Sequence, residues 1–400
     1  FIKEIEEASG METIVEASSK RQEKKNPPLL YNLAELQNQC SKMFKLSPDE
    51  TLKIVQELYE KKLVTYPRTD ARVLSSAVSK EIYKNLSGLK NYGILSETAA
   101  EILDKKSYTG LAKTRYVDDK KITDHYAIIP TGQALNNLKS VSQTGQKVYE
   151  VIVRRFLCIF LPPAVYSKIK LVTKTAGETF TANFKLLVDP GYLLVAGGKE
   201  AKKQDSVSKE QTDAILSLKK GMKLPIKKHL IKDGTTTPPK RYNSGSLILA
   251  MENAGQLIED EDLRAQIRGS GIGTSATRAE ILKKLVNIKY LALNKKTQVI
   301  TPTLQGEMIY DVVDHSIRSL LNPELTASWE KGLNYVAEGS ITSDEYMRKL
   351  DHFITSRTVG VKGLNNQYQL RACYEKAAGF YPSVNSNKTT GRTKTGNKSK

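Results

Sequence analysis

Leu63-Val64-Thr65-Tyr66-Pro67-Arg68-Thr69-Asp70 is the stretch that decides the fold, because it converts a strongly amphipathic helix into an extended segment. Upstream of it, Ser47 is a suitable N-cap, Pro48 suits the first helical position and Glu50 completes a capping box. The proline that follows Tyr66 disfavours the helical region for that tyrosine. The pattern therefore predicts a helix that presents Tyr66 just beyond its C-terminal end.

Tyr66 and Arg68 lie two residues apart, and so on one side of the predicted strand. A tyrosine has a reference pKa of about 10 and is a poor nucleophile at neutral pH unless a cation stabilises the phenolate. The guanidinium of Arg68 is such a cation, and its fork of donors also binds phosphate. By themselves these residues also fit a half-buried strand aromatic beside a surface charge, so both interpretations stay open at this point.

Three further motifs follow along the chain. They are Thr123-Asp124-His125-Tyr126-Ala127-Ile128-Ile129-Pro130-Thr131, Pro238-Pro239-Lys240-Arg241-Tyr242 and Gly271-Ile272-Gly273-Thr274-Ser275-Ala276-Thr277-Arg278-Ala279-Glu280. With the Tyr-Pro-Arg-Thr-Asp motif they resemble, in the family's order, the type IA DNA topoisomerases of the bacterial topoisomerase III branch. The resemblance covers residues 20 to 350 or so, and four ordered motifs make it specific.

This resemblance implies a multidomain α+β protein in which winged-helix-like helical domains are joined by a β-rich hinge domain in an open-torus arrangement. It implies an ATP-independent topoisomerase that cuts one DNA strand through a 5′-phosphotyrosine, passes another strand and reseals the break, thereby relaxing or decatenating DNA. The family carries an N-terminal Toprim domain whose acidic residues bind Mg²⁺. Nothing in this sequence resembles that domain, so we expect a fragment that lacks it and is incomplete for catalysis.

The resemblance also assigns roles to single residues. Tyr66 is expected to be the nucleophile, Arg68 the cation for the phosphate and the transition state, and His125 a group near the scissile phosphate. The residues expected to contact DNA are Asp70, Lys240, Arg241, Thr274, Thr277 and Arg278. No metal ligand is expected in this chain.

Single positions depart from the family pattern or have simpler explanations. Tyr126 stands where many relatives have a second histidine, and Ser275 stands where a proline is common. Without the resemblance, His125 fits a structural histidine and Thr277 fits the N-cap of an ordinary helix, with Glu280 completing a capping box. The glycine-rich approach to that helix lacks the Gly-Lys-Ser/Thr of a nucleotide-binding P-loop, so we predict no nucleotide.

The composition points to a polyanionic partner, because the formal net charge is +19 over 400 residues. The sequence contains no apolar run of membrane-spanning length and no signal peptide at its start. Cys40, Cys158 and Cys373 form no CxxC pair, which argues against zinc and for a reducing compartment. We therefore expect a monomer in the bacterial cytoplasm, at the nucleoid, that binds DNA and prefers single strands.

The predicted domains run in chain order. Residues 1–28 are predicted as the end of a helix and the first hinge strand, 29–160 as the winged-helix-like domain with the nucleophile, 161–237 as the β-rich hinge, 238–356 as a helical DNA-binding domain and 357–400 as a C-terminal segment with a basic disordered tail from about 383.

Within these domains the patterns predict particular elements. The predicted helices include Leu33–Phe44, a helix capped by Asn243 or Ser244, Thr277–Val286, Met308–Val313 and the region from Ala327 to Phe353. The predicted strands are Thr13–Ser18 followed by a charged run Lys20–Lys25, a hairpin of Tyr166–Thr175 and Thr179–Val188 with a turn of three to four residues, Leu224–Lys232, a second hairpin of Tyr290–Leu293 and Gln298–Pro302, and Tyr368–Tyr374. The acidic run Glu259–Asp262 is predicted as a solvated loop.

Two other classes of function remain for comparison. A tyrosine recombinase or relaxase needs a spaced Arg-His-Arg set or a histidine metal cluster, and the sequence shows neither. A non-catalytic DNA-binding protein needs only the positive charge and the winged-helix pattern of helices and hairpins, and the sequence shows both. It is therefore the alternative that remains.

Overall fold

The structure is a computed structural model that describes residues 2–197, 209–258 and 271–381. Its chain divides into two compact units, one drawn from Phe1–Asn32 and Ile54–Pro239 and the other from Leu33–Lys53 and Lys240–Lys400. This grouping is coarser than the five predicted segments, which stay a prediction. None of the described helices combines the length and apolar character needed to cross a lipid bilayer.

The first unit contains both helices and long strands. In chain order its regular elements are α1 (Ile2–Ser9), β1 (Glu12–Lys25), the C-terminal part of α3 (Pro48–Glu60), α4 (Ser76–Leu89), α5 (Ser96–Asp104), α6 (Gln143–Cys158), β2 (Ala164–Thr175), β3 (Glu178–Asp189), α7 (Leu193–Ala196), α8 (Lys209–Ser217) and β4 (Lys223–Pro225). Short 3₁₀ turns connect several of them.

An antiparallel sheet in the order β3-β2-β1-β4 forms one part of this unit, from pieces of chain that are far apart in sequence. Alternate residues such as Ile169, Leu171 and Leu186 are buried on its inner face, where the hydroxyl of Thr175 also donates to that of Thr13 at 2.7 Å. The predicted hairpin is confirmed. Its turn is shorter than predicted, because Ala176 and Gly177 both have positive φ angles and close a two-residue loop.

Two strand predictions were wrong in extent. β1 continues through the charged run to Lys25, because every residue from Ala17 onward pairs with β2 and the charged side chains need only an exposed face. β4 ends at Pro225 rather than Lys232, since it pairs only with Glu12, Thr13 and Ile14 of β1. The following residues lack regular structure and are mostly exposed, although His229 lies 2.9 Å from the carboxylate of Glu6.

The helical part of the first unit packs around α6, whose Tyr149, Ile152 and Phe156 are almost fully buried. Within this part, α4 approaches the loop after the His125 motif at two glycines. A β-carbon on Gly88 would lie 1.8 Å from the backbone oxygen of Gly132. This contact requires glycine because no side chain fits between the two backbones.

The second unit contains the remaining elements. They are α2 (Leu33–Phe44), the N-terminal part of α3, α9 (Ser244–Glu252), α10 (Arg278–Asn287), β5 (Leu291–Leu293), β6 (Ile300–Pro302), α11 (Leu304–Asp314), α12 (Pro323–Ala337), α13 (Ser343–Lys362) and α14 (Gln367–Ala378). The predicted helices α2 and α9 to α13 and the hairpin β5-β6 are confirmed.

Both predicted N-caps at the start of α3 and α9 are confirmed. The hydroxyl of Ser47 accepts from the backbone N–H of Glu50 at 3.2 Å, and the Glu50 carboxylate accepts from the N–H of Ser47 at 2.7 Å. Asn243 caps α9 in a capping box with Ser246. α9 packs closely on α2, since a β-carbon on Gly245 would lie 2.6 Å from the Cα of Asn38.

The prediction of a strand at Tyr368–Tyr374 was wrong, because this segment lies in helix α14. Its alternation of aromatic and polar residues is short, and the surrounding Gln, Leu, Arg, Ala, Glu and Lys residues are good helix formers. The acidic run Glu259–Asp262 and the basic tail lie outside the described residues. Cys40 and Cys158 are buried, whereas Cys373 is half-buried on α14.

Replacing Gly88 with alanine should destabilise the first unit by roughly 1–3 kcal/mol, because the added methyl overlaps the Gly132 backbone. In an open helical position the same change would instead stabilise by about 0.5–1 kcal/mol. Gly93→Ala is the matched control, since a β-carbon there meets nothing within 4 Å. Urea denaturation measures both variants, and equal midpoints would contradict the close approach.

Candidate active site

The C-terminal end of α3 positions Tyr66. Lys62 adopts a left-handed conformation with φ of 62°, and the N–H of Leu63 returns to the carbonyl of Leu58 at 2.9 Å, which ends the helix. Leu63 and Val64 then turn into the core, where they are at most 1% exposed. The chain leaves the core at Tyr66, which is half-buried, and Arg68, which is exposed.

A second segment, the His125 motif, runs antiparallel beside this one. Val64 forms an isolated bridge with Pro130, and the N–H of Thr65 donates to the carbonyl of Ile129 at 3.0 Å. The Thr65 hydroxyl both donates to the carbonyl of Ala127 at 3.1 Å and accepts from the N–H of Ile129 at 3.0 Å. The Thr65 hydroxyl therefore makes hydrogen bonds in place of those of a regular β-ladder, and these bonds fix the register between the two motifs.

Thr69 makes the corresponding connection on the other side of Tyr66. Its hydroxyl donates to the carbonyl of His125 at 2.7 Å and accepts from the N–H of Ala71 at 3.1 Å. Thr69 is only 4% exposed, so its own hydroxyl is largely shielded from water. The two threonines thus bracket Tyr66 and hold the backbone of His125 opposite it.

The result is a contact between the two predicted catalytic rings. The ring centroids of Tyr66 and His125 lie 4.2 Å apart with an interplanar angle of 41°. Tyr59, near the end of α3, meets Tyr66 edge-on at 5.4 Å. One face of the tyrosine is therefore covered by aromatic groups, while its remaining surface faces an open cavity.

That cavity has a volume of about 500 Å³ and its lining includes Tyr59, Lys62, Tyr66, His125 and Tyr126. Burial raises the pKa of Tyr126 above its ordinary value, and the neutral phenol is a hydrogen-bond donor. The cavity combines stacking surfaces with a lysine, the pair of features that accommodates an unpaired nucleotide and its phosphate.

Arg68 is exposed, and its guanidinium makes no ion pair or hydrogen bond with any described residue. Its five donors are therefore available to an anion that approaches Tyr66. Asp70 is also exposed, and its backbone carbonyl accepts from the side chain of Asn32 at 3.1 Å. Tyr66, Arg68, Asp70 and His125 thus belong to one unit and to two paired segments of chain.

The predicted glycine-rich turn lies in the second unit. Gly271 and Gly273 have positive φ angles, and a β-carbon on Gly271 would lie 2.5 Å from the carbonyl oxygens of Met251 and Glu252. The predicted capping box was wrong, because the Thr277 side chain makes no cap bond to α10. Its hydroxyl instead accepts from the N–H of Thr274 at 2.9 Å, which folds the turn back on itself.

Arg278 lies inside the second unit rather than on its surface. It is only 1% exposed, and its Nε donates to the carbonyl of Ile272 at 3.2 Å, so it supports the glycine-rich turn from within. Lys240 and Arg241 are exposed on the segment before α9. Thr274 is exposed, and its hydroxyl lies 3.1 Å from that of Thr277.

Sequence reasoning assigned no role to Thr65, Thr69 or Tyr59. The signal for the threonines was their β-branched, hydroxyl-bearing type on either side of a predicted extended position. The contact of Tyr59 with Tyr66 depends on the turn of the chain at Lys62, which the spacing of the two tyrosines in the sequence does not give.

The described residues provide no fit for the Mg²⁺ that the family resemblance implies. No three His, Cys, Asp or Glu side chains come together as possible ligands within 2–197, 209–258 and 271–381. We therefore derive no step through a metal ion in this chain.

A family model described as DNA topoisomerase matches residues 1–348. The chain belongs to the type IA DNA topoisomerase family. DNA topoisomerase 3 of Bacillus subtilis is 34% identical over 373 residues, which cover 91% of this chain and 49% of that protein. The Bacillus licheniformis DNA topoisomerase 3 is 33% identical over 366 residues, covering 90% of this chain and 48% of its own length.

A solved structure, the full-length topoisomerase I from Thermotoga maritima, is similar in fold. Its TM-score is 0.62 at 23% identity, and the match covers 89% of this chain and 53% of the other. At that identity the likeness shows the fold alone. This topoisomerase-family chain spans about half the length of the relatives it matches.

Replacing Thr69 with valine should loosen the contact between His125 and Tyr66, because the His125 carbonyl and the buried N–H of Ala71 lose their partner. The expected cost is about 1–3 kcal/mol of unfolding free energy, with loss of the ring-current shift of the His125 ring protons by NMR. Thr69→Ser is the control, since it keeps the hydroxyl. Wild-type shifts in the valine variant would show that Thr69 does not hold the pair together.

Proposed function

We propose that this chain carries the strand-cleaving tyrosine of a topoisomerase III-like type IA enzyme. The observation that supports it best is the half-buried Tyr66 phenol beside a cavity of about 500 Å³, with the His125 ring at 4.2 Å. The exposed Arg68 lies two residues away on the same segment. The whole enzyme would cleave one strand, pass another strand and reseal the break, relaxing or decatenating DNA without ATP.

The proposed cleavage step is an in-line transfer of a phosphoryl group. The Tyr66 phenol oxygen forms a bond to phosphorus as the bond from phosphorus to the 3′ oxygen breaks. The phenol loses its proton and the leaving 3′ oxygen gains one. The product is a 5′-phosphotyrosine and a free 3′-hydroxyl, and the ester exchange conserves the bond energy, so that the reverse attack reseals the strand without ATP.

Arg68 would act mainly on the charge that develops in this step. Its guanidinium can bind two phosphate oxygens at once, and donors aimed at developing charge are among the largest contributions to catalysis. His125 would support the scissile phosphate from the other side of Tyr66, because its exposed ring has a nitrogen donor free to approach that position. Asp70 is proposed as a supporting contact at the same end of the motif.

The other proposed DNA contacts lie in the second unit. Thr274 and Thr277 are exposed at the glycine-rich turn, and their hydroxyls can donate to a phosphate near the start of α10. Lys240 and Arg241 supply exposed charge. The buried position of Arg278 supports a different role from the contact expected from the sequence, namely holding this turn in shape.

The Mg²⁺ of the reaction is proposed to bind a Toprim domain outside this chain. The whole protein is proposed to be a monomer at the bacterial nucleoid in the cytoplasm, and to have the winged-helix and open-torus arrangement of its family. The alternative is that the chain alone acts as a non-catalytic DNA-binding protein.

Tyr66→Phe should abolish the covalent adduct, because phenylalanine retains the packing with His125 and removes only the attacking oxygen. The chain is incubated with single-stranded DNA, Mg²⁺ and the Toprim domain of a type IA relative, and the adduct is trapped with denaturant. A 3′-labelled oligonucleotide should transfer its label to the protein, whereas a 5′-labelled one should not.

Tyr59→Phe is the matched control for this experiment and should retain the adduct. Arg68→Ala should slow adduct formation by roughly a hundredfold or more, as removal of a charge-stabilising donor does in other enzymes. Little or no adduct is expected from the isolated chain. An adduct on another tyrosine, or one linked to a 3′ end, would contradict the proposed function.

The same chain should bind single-stranded DNA more tightly than duplex DNA, because the aromatic groups around Tyr66 stack only on unpaired bases. Both affinities should fall steeply with salt as counterions are released. Fluorescence anisotropy across a salt series measures this. Equal affinity for the two forms at every salt concentration would count against an active site that engages single strands.

A further inference from the structure

The outer face of the sheet is strongly basic, and the Tyr66 site uses none of it. The register pairs Arg21 with Lys168 and Lys168 with Lys185, so these three cations stand in one line across β1, β2 and β3. Lys170 and Lys174 continue on the same side of β2, because alternate residues of a strand share a face. All five side chains are exposed or partly exposed.

Two acidic side chains of this face are paired, and Glu16 is exposed at the bulge of β1 beside them with no ion pair to a described residue. The Glu23 carboxylate lies 2.8 Å from Lys168 and 3.0 Å from Lys185, and that of Glu12 lies 3.3 Å from Lys223. In the part of the chain that the structure describes, Arg21, Lys170 and Lys174 have no ion pair. The face therefore keeps a net positive charge that no described group of the protein neutralises.

The inner face of the sheet packs against other parts of the first unit, in contrast to the outer face. Lys20, which points to the opposite side from Arg21, bonds through its ammonium group to the carbonyl of Leu216 on α8. Ile169 and Leu171 of β2 are buried there as well. On these three long strands Arg21, Lys168, Lys170, Lys174 and Lys185 lie on the outer side, whereas Lys20 and Lys24 are exposed cations of the inner side. From Lys168 to Lys174 that row extends about 20 Å at the usual strand rise.

The shape and chemistry of this outer face select the kind of nucleic acid. Tyr166 is the one aromatic residue at an outer position of β1, β2 and β3, all of which are described, and the Lys185 ammonium lies 4.5 Å from its ring centroid. Phe180, the exposed aromatic residue of β3, pairs with Thr173 and so lies at an inner position, which leaves the outer face of these three described strands with only the Tyr166 ring for unpaired bases. A duplex presents phosphates alone to such a surface, at one charge per about 1.7 Å of its axis.

We propose that the outer face of β1, β2 and β3 is a second DNA-binding surface, which takes the phosphate backbone of duplex DNA. It recognises no base sequence and is separate from the single-strand site at Tyr66. Glu23 holds Lys168 and Lys185 in fixed positions, while Arg21, Lys170 and Lys174 supply the contacts that release counterions. This inference rests on the proposed function only in taking DNA as the partner.

The test replaces Arg21, Lys170 and Lys174 together with glutamine, which leaves the Glu23 ion pairs intact. Duplex affinity should fall at least tenfold at low salt. The association constant should also fall less steeply with salt: the magnitude of the slope of its logarithm against log salt concentration should be smaller by about 2.7, which corresponds to three lost phosphate contacts. Binding of a short oligo(dT) should stay unchanged. A blunt-ended duplex of about three helical turns is the probe.

Lys80→Gln, Lys90→Gln and Lys113→Gln together form the matched control, since they remove as much charge at exposed positions elsewhere in the same unit. If the control loses duplex affinity as the first variant does, only net charge matters and the proposal is overturned. An equal loss of oligo(dT) binding in the first variant would also overturn it, because the two surfaces would then be one.

Lys168→Gln with Lys185→Gln provides a second measurement. It removes two cations and exposes an unpaired Glu23 carboxylate at the centre of the face. The loss of duplex affinity per removed charge should therefore be larger than in the variant of Arg21, Lys170 and Lys174. Unchanged duplex binding would place the DNA elsewhere. Adduct formation at Tyr66 with a single-stranded substrate is independent of all these variants, so a failure of the duplex surface is distinguishable from a failure of the proposed function.

Discussion

The pairing of the segment from Leu63 to Val73 with the segment from His125 to Thr131 is the interaction on which the site depends. Neither segment is a regular strand, and threonine hydroxyls provide part of the bonding that a ladder would supply. Because Thr65 and Thr69 flank Tyr66, one residue out of register would separate the rings of Tyr66 and His125. The geometry of the candidate site therefore depends on hydrogen bonds between threonine side chains and backbone groups, while the side chains of Tyr66, Arg68 and His125 remain at least partly exposed.

Much of the fold could be predicted because local rules decided it. The capping box at Ser47 and the hairpin after Ala176 follow from side chains that bond their own backbone or favour a turn. The two wrong strand predictions have a common cause, because pairing with a strand far away in the sequence decides where each strand ends. The charged residues up to Lys25 are a strand because β2 lies beside them, and the stretch after Pro225 is not one because β1 offers it no further residues to pair with.

The candidate site was predictable in its members but not in its geometry. The motif resemblance identified Tyr66 and His125, whereas the 4.2 Å ring contact depends on a hydrogen bond between residues 56 positions apart. The prediction that Arg278 contacts DNA assumes a surface position, as is usual for a charged side chain, but Arg278 is buried. Its position at the start of a helix gave no sign that a glycine turn would enclose it. The sequence thus predicts the chemistry of the candidate site, whereas only the tertiary contacts show which polar groups support the surrounding structure.

The burial of two cysteines has a practical consequence. Burial raises the pKa of both Cys40 and Cys158 to about 12, so neither thiol forms a thiolate at neutral pH and neither is reached by reagents from water. Cys373 is partly accessible on its helix. A maleimide dye or a surface tether should therefore attach at this one position of the natural sequence, which makes the chain suited to single-molecule observation on stretched DNA without removal of any cysteine.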